Sequence, residues 1–202
     1  MARVSRAQAG RNRIAIEEAS SRLFREQGIN GVSVADLMAA AGLTHGGFYG
    51  HFESKDALAA IACARAFANS AAAWKKRSRK NPDRDAARAA IIAGYLSARS
   101  RNASGIGCPL AALAADVARE PADKPVRQAY LAGLNELLEI FAGLQRSADA
   151  ERDRSRALAE LSTMVGALVL ARATQGDRVS DEFLVAARQQ LISSRQEDTR
   201  AN

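Results

Sequence analysis

The stretch from Ser33 to Lys55, SVADLMAAAGLTHGGFYGHFESK, constrains the fold more than any other part of the chain. Ser33 and Asp36 have the spacing of a capping box, in which the hydroxyl bonds an early helix N–H and the carboxylate reaches back. Val32 and Leu37 flank the cap where a hydrophobic staple would fix the entry angle. Val34, Leu37, Met38 and Ala41 then recur at helical spacing, and Gly42 stands where glycine ends a helix. Leu43-Thr44 starts again, with Thr44 as a second cap and Leu43 placed to staple to Phe48. Two capped helices a few residues apart, the second amphipathic and polar, predict a helix-turn-helix. Such a unit can lay its second helix in the major groove of DNA.

Composition supports that reading without making it. A chain of 202 residues suits one medium domain or a small head on a larger body. Apolar residues make up 48% and aromatics only 5%, and alanine dominates, which favours close-packed helices over a β-sandwich. The formal charge of +7 and pI near 10.0 favour polyanionic partners, and gain weight only beside the helix-turn-helix. No apolar run looks long enough to cross a bilayer, and the basic N-terminus leads into no signal-peptide core, so the cytoplasm is expected, with no membrane partner. Cys63 and Cys108 form neither a metal pair nor a disulfide framework, as expected of a reducing compartment.

Residues 1–13 carry Arg3, Arg6, Arg11 and Arg13 and no acid, which reads either as a solvated tail or as an arm that orders on phosphates. Ile16, Ala19, Leu23 and Phe24 mark a first helix ending near Gly28. A long helix from Ser54 carries one stripe of Leu58, Ile61, Arg65 and Ala68, and another of Cys63, Phe67 and Trp74. It runs into KKRSRK, a solvated cationic end, and breaks at Asn81-Pro82. A helix is expected from about Asp83 to Ser100, a loop from Arg101 to Gly107, and a short helix with Cys108 at its cap and Pro109 in its first turn. Val126, Tyr130, Leu134, Leu137 and Phe141 predict another long helix. Leu158, Leu161, Val165 and Leu168 form a stripe that Ala157, Met164 and Ala171 widen. A face that wide suggests burial against the body and against a partner subunit. Phe183, Leu184, Ala187, Leu191 and Ile192 give a last helix. The fold expected is all-α, with about nine helices.

From about Ile16 to Leu58 the chain resembles the TetR family of bacterial transcription regulators. LFREQGINGVSVADLMAAAGLTHGGFYGHFESKDAL carries the resemblance, with its Phe-Tyr-x-x-Phe core and the Ser-Lys-Asp-Ala-Leu start of the next helix. The resemblance implies a three-helix DNA-binding head, 1–56, and an antiparallel helical body, 57–202, that binds an inducer and dimerises. It implies a homodimeric repressor on a palindromic double-stranded operator, released by a small-molecule inducer of unknown identity. No enzyme activity and no cofactor are expected.

Side chains on the exposed face of the second helix, near its start, are those that can read bases. These are Thr44, His45, Gly47, Tyr49 and His51, with Phe48 and Phe52 pointing inward. Thr44 can cap its helix and offer a hydroxyl to phosphate, and His45 is the candidate base reader. Tyr49, Lys55 and Ser33 suit phosphates, and the family resemblance points to the same positions. Gly47 stands where many family members carry a longer or more polar residue, and Gly50 removes another possible reader, which shifts recognition toward phosphates and DNA shape. His45 and His51, six residues apart, lie about 240° around a helix, so they are not a metal pair. Phe67, Trp74, Tyr95, Phe141 and Met164 are candidates for an inducer cavity or for plain core. Cys108 reads either as an electrophile-sensing thiol at a helix start or as packing. The rival readings are an architectural DNA-binding protein without an inducer, and an enzyme, for which no nucleophile, base and orienting group come together.

Overall fold

The computed structural model describes residues 6–145, 147 and 149–200, the stretch 194–200 as backbone alone. Among the described residues the chain is all helical. Its α-helices are α1 (Arg6–Gln27), α2 (Val34–Ala40), α3 (Lys55–Lys80), α4 (Arg84–Tyr95), α5 (Ala98–Asn102), α6 (Pro109–Arg119), α7 (Pro125–Ala142), α8 (Ala150–Ala173) and α9 (Arg178–Arg200). Two 3-10 segments, His45–Gly50 and Ser104–Ile106, complete the set.

The chain packs as two compact units. The first comprises Met1–Ala68 with Ser104–Gly133, the second Asn69–Ala103 with Leu134–Asn202. Helices α3 and α7 each contribute to both. This division by packing does not coincide with the boundary expected from the sequence at residues 56 and 57.

In the first unit Ile16, Phe24, Leu37, Met38, Phe48, Phe52 and Leu58 are buried together. Each such side chain stabilises the fold by about 1.5–3 kcal/mol. Segment 104–133 belongs here because α1 is tied to it. The Arg25 guanidinium donates to the Gly107 carbonyl at 2.7 Å, and the Ile29 N–H donates to Asp116 Oδ2 at 3.2 Å. Gly28 ends α1 with φ +80°, and a Cβ there would lie 2.9 Å from Asp116 Oδ2. Only glycine meets both conditions at low cost.

In the second unit Trp74 meets Tyr95 and Phe141, with ring centroids 6.3 and 5.8 Å apart. Helices α8 and α9 pack along each other. Between α4, α8 and α9 lies a buried ion pair, Arg88 with Glu160.

Several expectations need correction. The basic stretch is helical from Arg6, ten residues before the first apolar anchor, Ile16. Its residues are fair helix formers laced by local bonds such as Arg11 to Gln8 at 2.5 Å and Arg13 to Glu17 at 3.1 Å. Arg3 lies outside the described residues. The helix expected over 83–100 breaks after Tyr95, because the Ser97 hydroxyl accepts from the Ser100 N–H and caps a new short helix. The expected loop 101–107 therefore holds the end of α5 and a 3-10 turn. On α8 the inward face is Ala157, Leu161, Met164, Leu168 and Ala171, and Leu158 turns outward. Finally, α3 is long and apolar enough, by length and composition, to cross a membrane. Alanines supply that apolarity, while Arg65 and Lys75 on the same helix pair with Glu17, Glu18 and Glu136.

Candidate nucleic-acid interface

The helix-turn-helix forms as its local chemistry demands, with one departure. Ser33 caps α2: its hydroxyl accepts from the Asp36 N–H at 3.2 Å, and the Asp36 carboxylate accepts from the Ser33 N–H at 2.9 Å. The same hydroxyl donates to Asp36 at 2.6 Å, and these bonds from Ser33 hold the Asp36 carboxyl below its usual range. A hydroxyl has one proton, so in this arrangement Ser33 has none left for a phosphate. Gly42 ends the helix at φ +72° and turns the chain toward the second element.

That second element is a 3-10 segment of six residues, His45–Gly50, and not the α-helix the spacing predicts. Three of the six are glycines, each costing roughly 1 kcal/mol of helix stability relative to alanine. Thr44 occupies the cap position with extended backbone, but its side chain makes no cap bond. Thr44 is exposed, and its hydroxyl does not close the helix start as expected.

The burial pattern of this segment follows the expected one except at His51. Phe48 and Phe52 are buried, with centroids 5.8 Å apart, and hold the segment to the core. Thr44, His45, Gly46, Gly47, Tyr49 and Gly50 are exposed. The Tyr49 ring, 72% exposed, stands edge-on to Phe48 at 5.2 Å, so an outward phenol is braced by an inward anchor. His51 ends the segment half-buried, and its carbonyl accepts a bond from Arg13. Lys55 opens α3, and the adjacent Asp56 pairs with Lys124, whose pKa rises through that bond. Sequence patterning did not reveal the role of Arg13. Its contacts beyond its own helix, the His51 carbonyl and the Phe52 ring, lie 38 and more residues along the chain.

The candidate sensing residues fall in both units. Phe67 and Cys108 belong to the first, where Phe67 is buried with its ring edge-on to Tyr130 at 5.2 Å. Trp74, Tyr95, Phe141 and Met164 are buried in the second. Cys108 is the N-cap of α6, ahead of Pro109, and is half-buried. Cys63 is buried, and desolvation pushes its thiol up to about 12. Burial first, then the nearby thiols of Cys108 and Cys63, raise the Tyr130 phenol, which donates to the Leu110 carbonyl at 3.1 Å.

Residues 16–61 match the family model described as bacterial regulatory proteins, tetR family. No curated protein matches the chain in sequence. Among solved structures, a TetR-family regulator from Cytophaga hutchinsonii is similar at 20% identity and TM-score 0.76, covering 96% of this chain and 98% of that one. A TetR regulator from Chloroflexus aurantiacus J-10-FL matches at 25% identity and TM-score 0.73, over 93% and 95%. The regulator FadR from Bacillus subtilis, solved with stearoyl-CoA, matches at 14% identity and TM-score 0.66, over 89% and 97%. The segment that builds this exposed face lies within the stretch matched in sequence, and the rest of the chain follows in fold. Over residues 16–61 the chain thus carries the sequence pattern of the tetR-family bacterial regulatory proteins, and over most of its length it has the fold of solved TetR-family regulators.

Proposed function

We propose that the chain is a ligand-responsive repressor that binds a palindromic operator as a homodimer, with residues 1–56 reading DNA and 57–202 sensing and pairing. The exposed row Thr44, His45, Gly47 and Tyr49, seated on the buried Phe48 and Phe52, carries this reading. Thr44, Tyr49 and Lys55 meet phosphates, and His45 reads a base edge. A second copy of the chain covers the outward side chains of Leu158, Val169 and Leu170 on α8 and Val185 on α9, which are 39–47% exposed. Two heads then face half-sites about 34 Å apart. The bound stearoyl-CoA of the FadR neighbour supports a small-molecule inducer. Phe67, Trp74, Tyr95, Phe141 and Met164 are its candidate contacts, and the cytoplasm is its place of action.

Enrichment of a randomised duplex library with the wild-type protein tests this reading. We expect a palindromic sequence bound by two copies per duplex, as counted by light scattering. Lys55→Ala weakens binding to all sequences alike and lowers the salt slope by about one unit. His45→Ala flattens preference at one position of the site. Uniform loss in both variants removes His45 as a base reader. The glycine-rich reading segment leaves few side chains for bases, and that favours one alternative, an architectural DNA-binding protein without an inducer. Failure to enrich any sequence selects it.

Cys108 is proposed as a second input, an electrophile-sensing thiol. It is more accessible than Cys63, whose thiol is buried and hard to ionise. Alkylation near neutral pH, followed by mass spectrometry of the folded protein, is expected to label Cys108 well before Cys63. Cys108→Ser then abolishes electrophile-dependent release and leaves basal DNA binding intact. Equal, slow labelling of both thiols leaves Cys108 as packing.

A further inference from the structure

Arg13 lies on α1, outside the two elements of the helix-turn-helix, yet its guanidinium closes on the end of the reading segment. One nitrogen, Nη1, donates to the His51 carbonyl at 2.5 Å. The Cζ atom sits 4.5 Å from the centroid of the Phe52 ring. The third contact, from Nε, goes to Glu17 Oε1 at 3.1 Å, and Glu17 Oε2 accepts from Arg65 of α3 at 3.3 Å. A continuous chain of charged contacts therefore runs from α3 through α1 to the backbone that terminates the reading segment.

The segment needs such support. Its glycines give it little rigidity of its own, and a Cβ at Gly46 or Gly50 would meet nothing within 4 Å. The carbonyls at the end of a helical turn lack intrahelical partners, and a cation there is favoured. A planar fork can bond the carbonyl and cover the ring at once, which an ammonium cannot.

We infer that Arg13 is a positioning residue that sets the pose of His45–His51 for DNA, and that it does not bind a phosphate itself. The inference rests on the reading of that segment as the DNA-facing one. It differs from the arm reading of the basic N-terminus in one measurable respect. A phosphate ligand changes the salt dependence of binding, whereas a positioning residue changes the discrimination between sequences.

The test uses Arg13→Lys and Arg13→Gln, with Arg11→Gln as the control, since among the described residues Arg11 bonds locally to Gln8. The probes are the duplex enriched by the wild-type protein and its scrambled counterpart, each titrated over a range of salt. Both Arg13 variants are expected to bind the enriched duplex about tenfold more weakly, the scale of one charged hydrogen bond with its ring contact, and the scrambled duplex nearly as before. The salt slope stays within a fraction of a unit. In the protein without DNA, the amide NMR shifts of Gly46, Gly47 and Gly50 move in both Arg13 variants and hold in Arg11→Gln. Wild-type binding by Arg13→Lys overturns the inference, because charge alone then suffices. So does an equal loss on both duplexes with a slope lower by about one unit. Unmoved glycine amides overturn it without reference to DNA, so its failure is separable from failure of the DNA-reading assignment, which the wild-type enrichment decides.

Discussion

Glu160→Ala is expected to lower stability by about 3–5 kcal/mol. Its carboxylate accepts from Arg88 at 2.8 and 2.5 Å, from Gln145 at 3.1 Å and from Arg156 at 3.1 Å. Arg88 and Glu160 are 2% and 5% exposed. Without Glu160 the buried Arg88 keeps its bond to the Leu191 carbonyl at 3.0 Å, and a cation held by one carbonyl is poorly compensated. The pair itself need not stabilise the fold, because desolvation offsets most of its attraction. The double variant Arg88→Met with Glu160→Leu is therefore expected to recover most of the loss. Denaturant midpoints at constant slope measure both effects. A cost below about 1 kcal/mol for the single change would show that water reaches the pair, and the burial argument would fail.

Gly133→Ala comes next. A Cβ on this glycine of α7 would lie 2.1 Å from Phe67 Cγ and 2.5 Å from Phe67 Cβ. The ring cannot swing clear, since Phe67 is buried and Tyr130 stands edge-on to it. The clash reaches Phe67 Cβ, so trimming the ring alone does not relieve it and the two helices must separate. An overpacking cost of about 1–3 kcal/mol or more is expected. Phe67→Ala alone costs about 3–5 kcal/mol, and the two changes together should cost less than their sum. A double-mutant cycle measures the coupling, and strict additivity would mean the contact is slack.

These two sites differ in how far the sequence shows them. Glu160 interrupts an apolar face at helical spacing, between Ala157 and Met164, and a charged residue there is a legible sign of a buried partner. Its partner Arg88, 72 residues earlier, is not legible. Gly133 carries no local signal at all, because its requirement comes from the packing of α3 against α7. The helix-turn-helix was legible because its determinants are local: a cap at Ser33, a stop at Gly42, and aromatic anchors at Phe48 and Phe52. The same local chemistry explains the miss at residues 45–50. The amphipathic pattern is right, but three glycines in six residues do not sustain an α-helix. On α8 the apolar residues occupy too much of the circumference for periodicity to choose the inward side. Leu158 was placed on the buried stripe and lies outside it.

The ties between α1 and segment 104–133 bear on how this protein can be cut and recombined. A fragment ending at residue 56 would keep the whole reading motif but lose Gly107, Asp116 and Lys124, the partners of Arg25, Ile29 and Asp56. It would also lose Glu120, which accepts from Asn30 at 3.1 Å. Grafting this head onto another regulator's body is therefore not a matter of a clean junction in α3. The recipient must supply a loop lean enough to lie on α1, as Gly105 does beside Glu26 and Arg22, and a carboxylate over the glycine that ends α1. A chimera needs two grafts, the first 56 residues and the surface on which they rest.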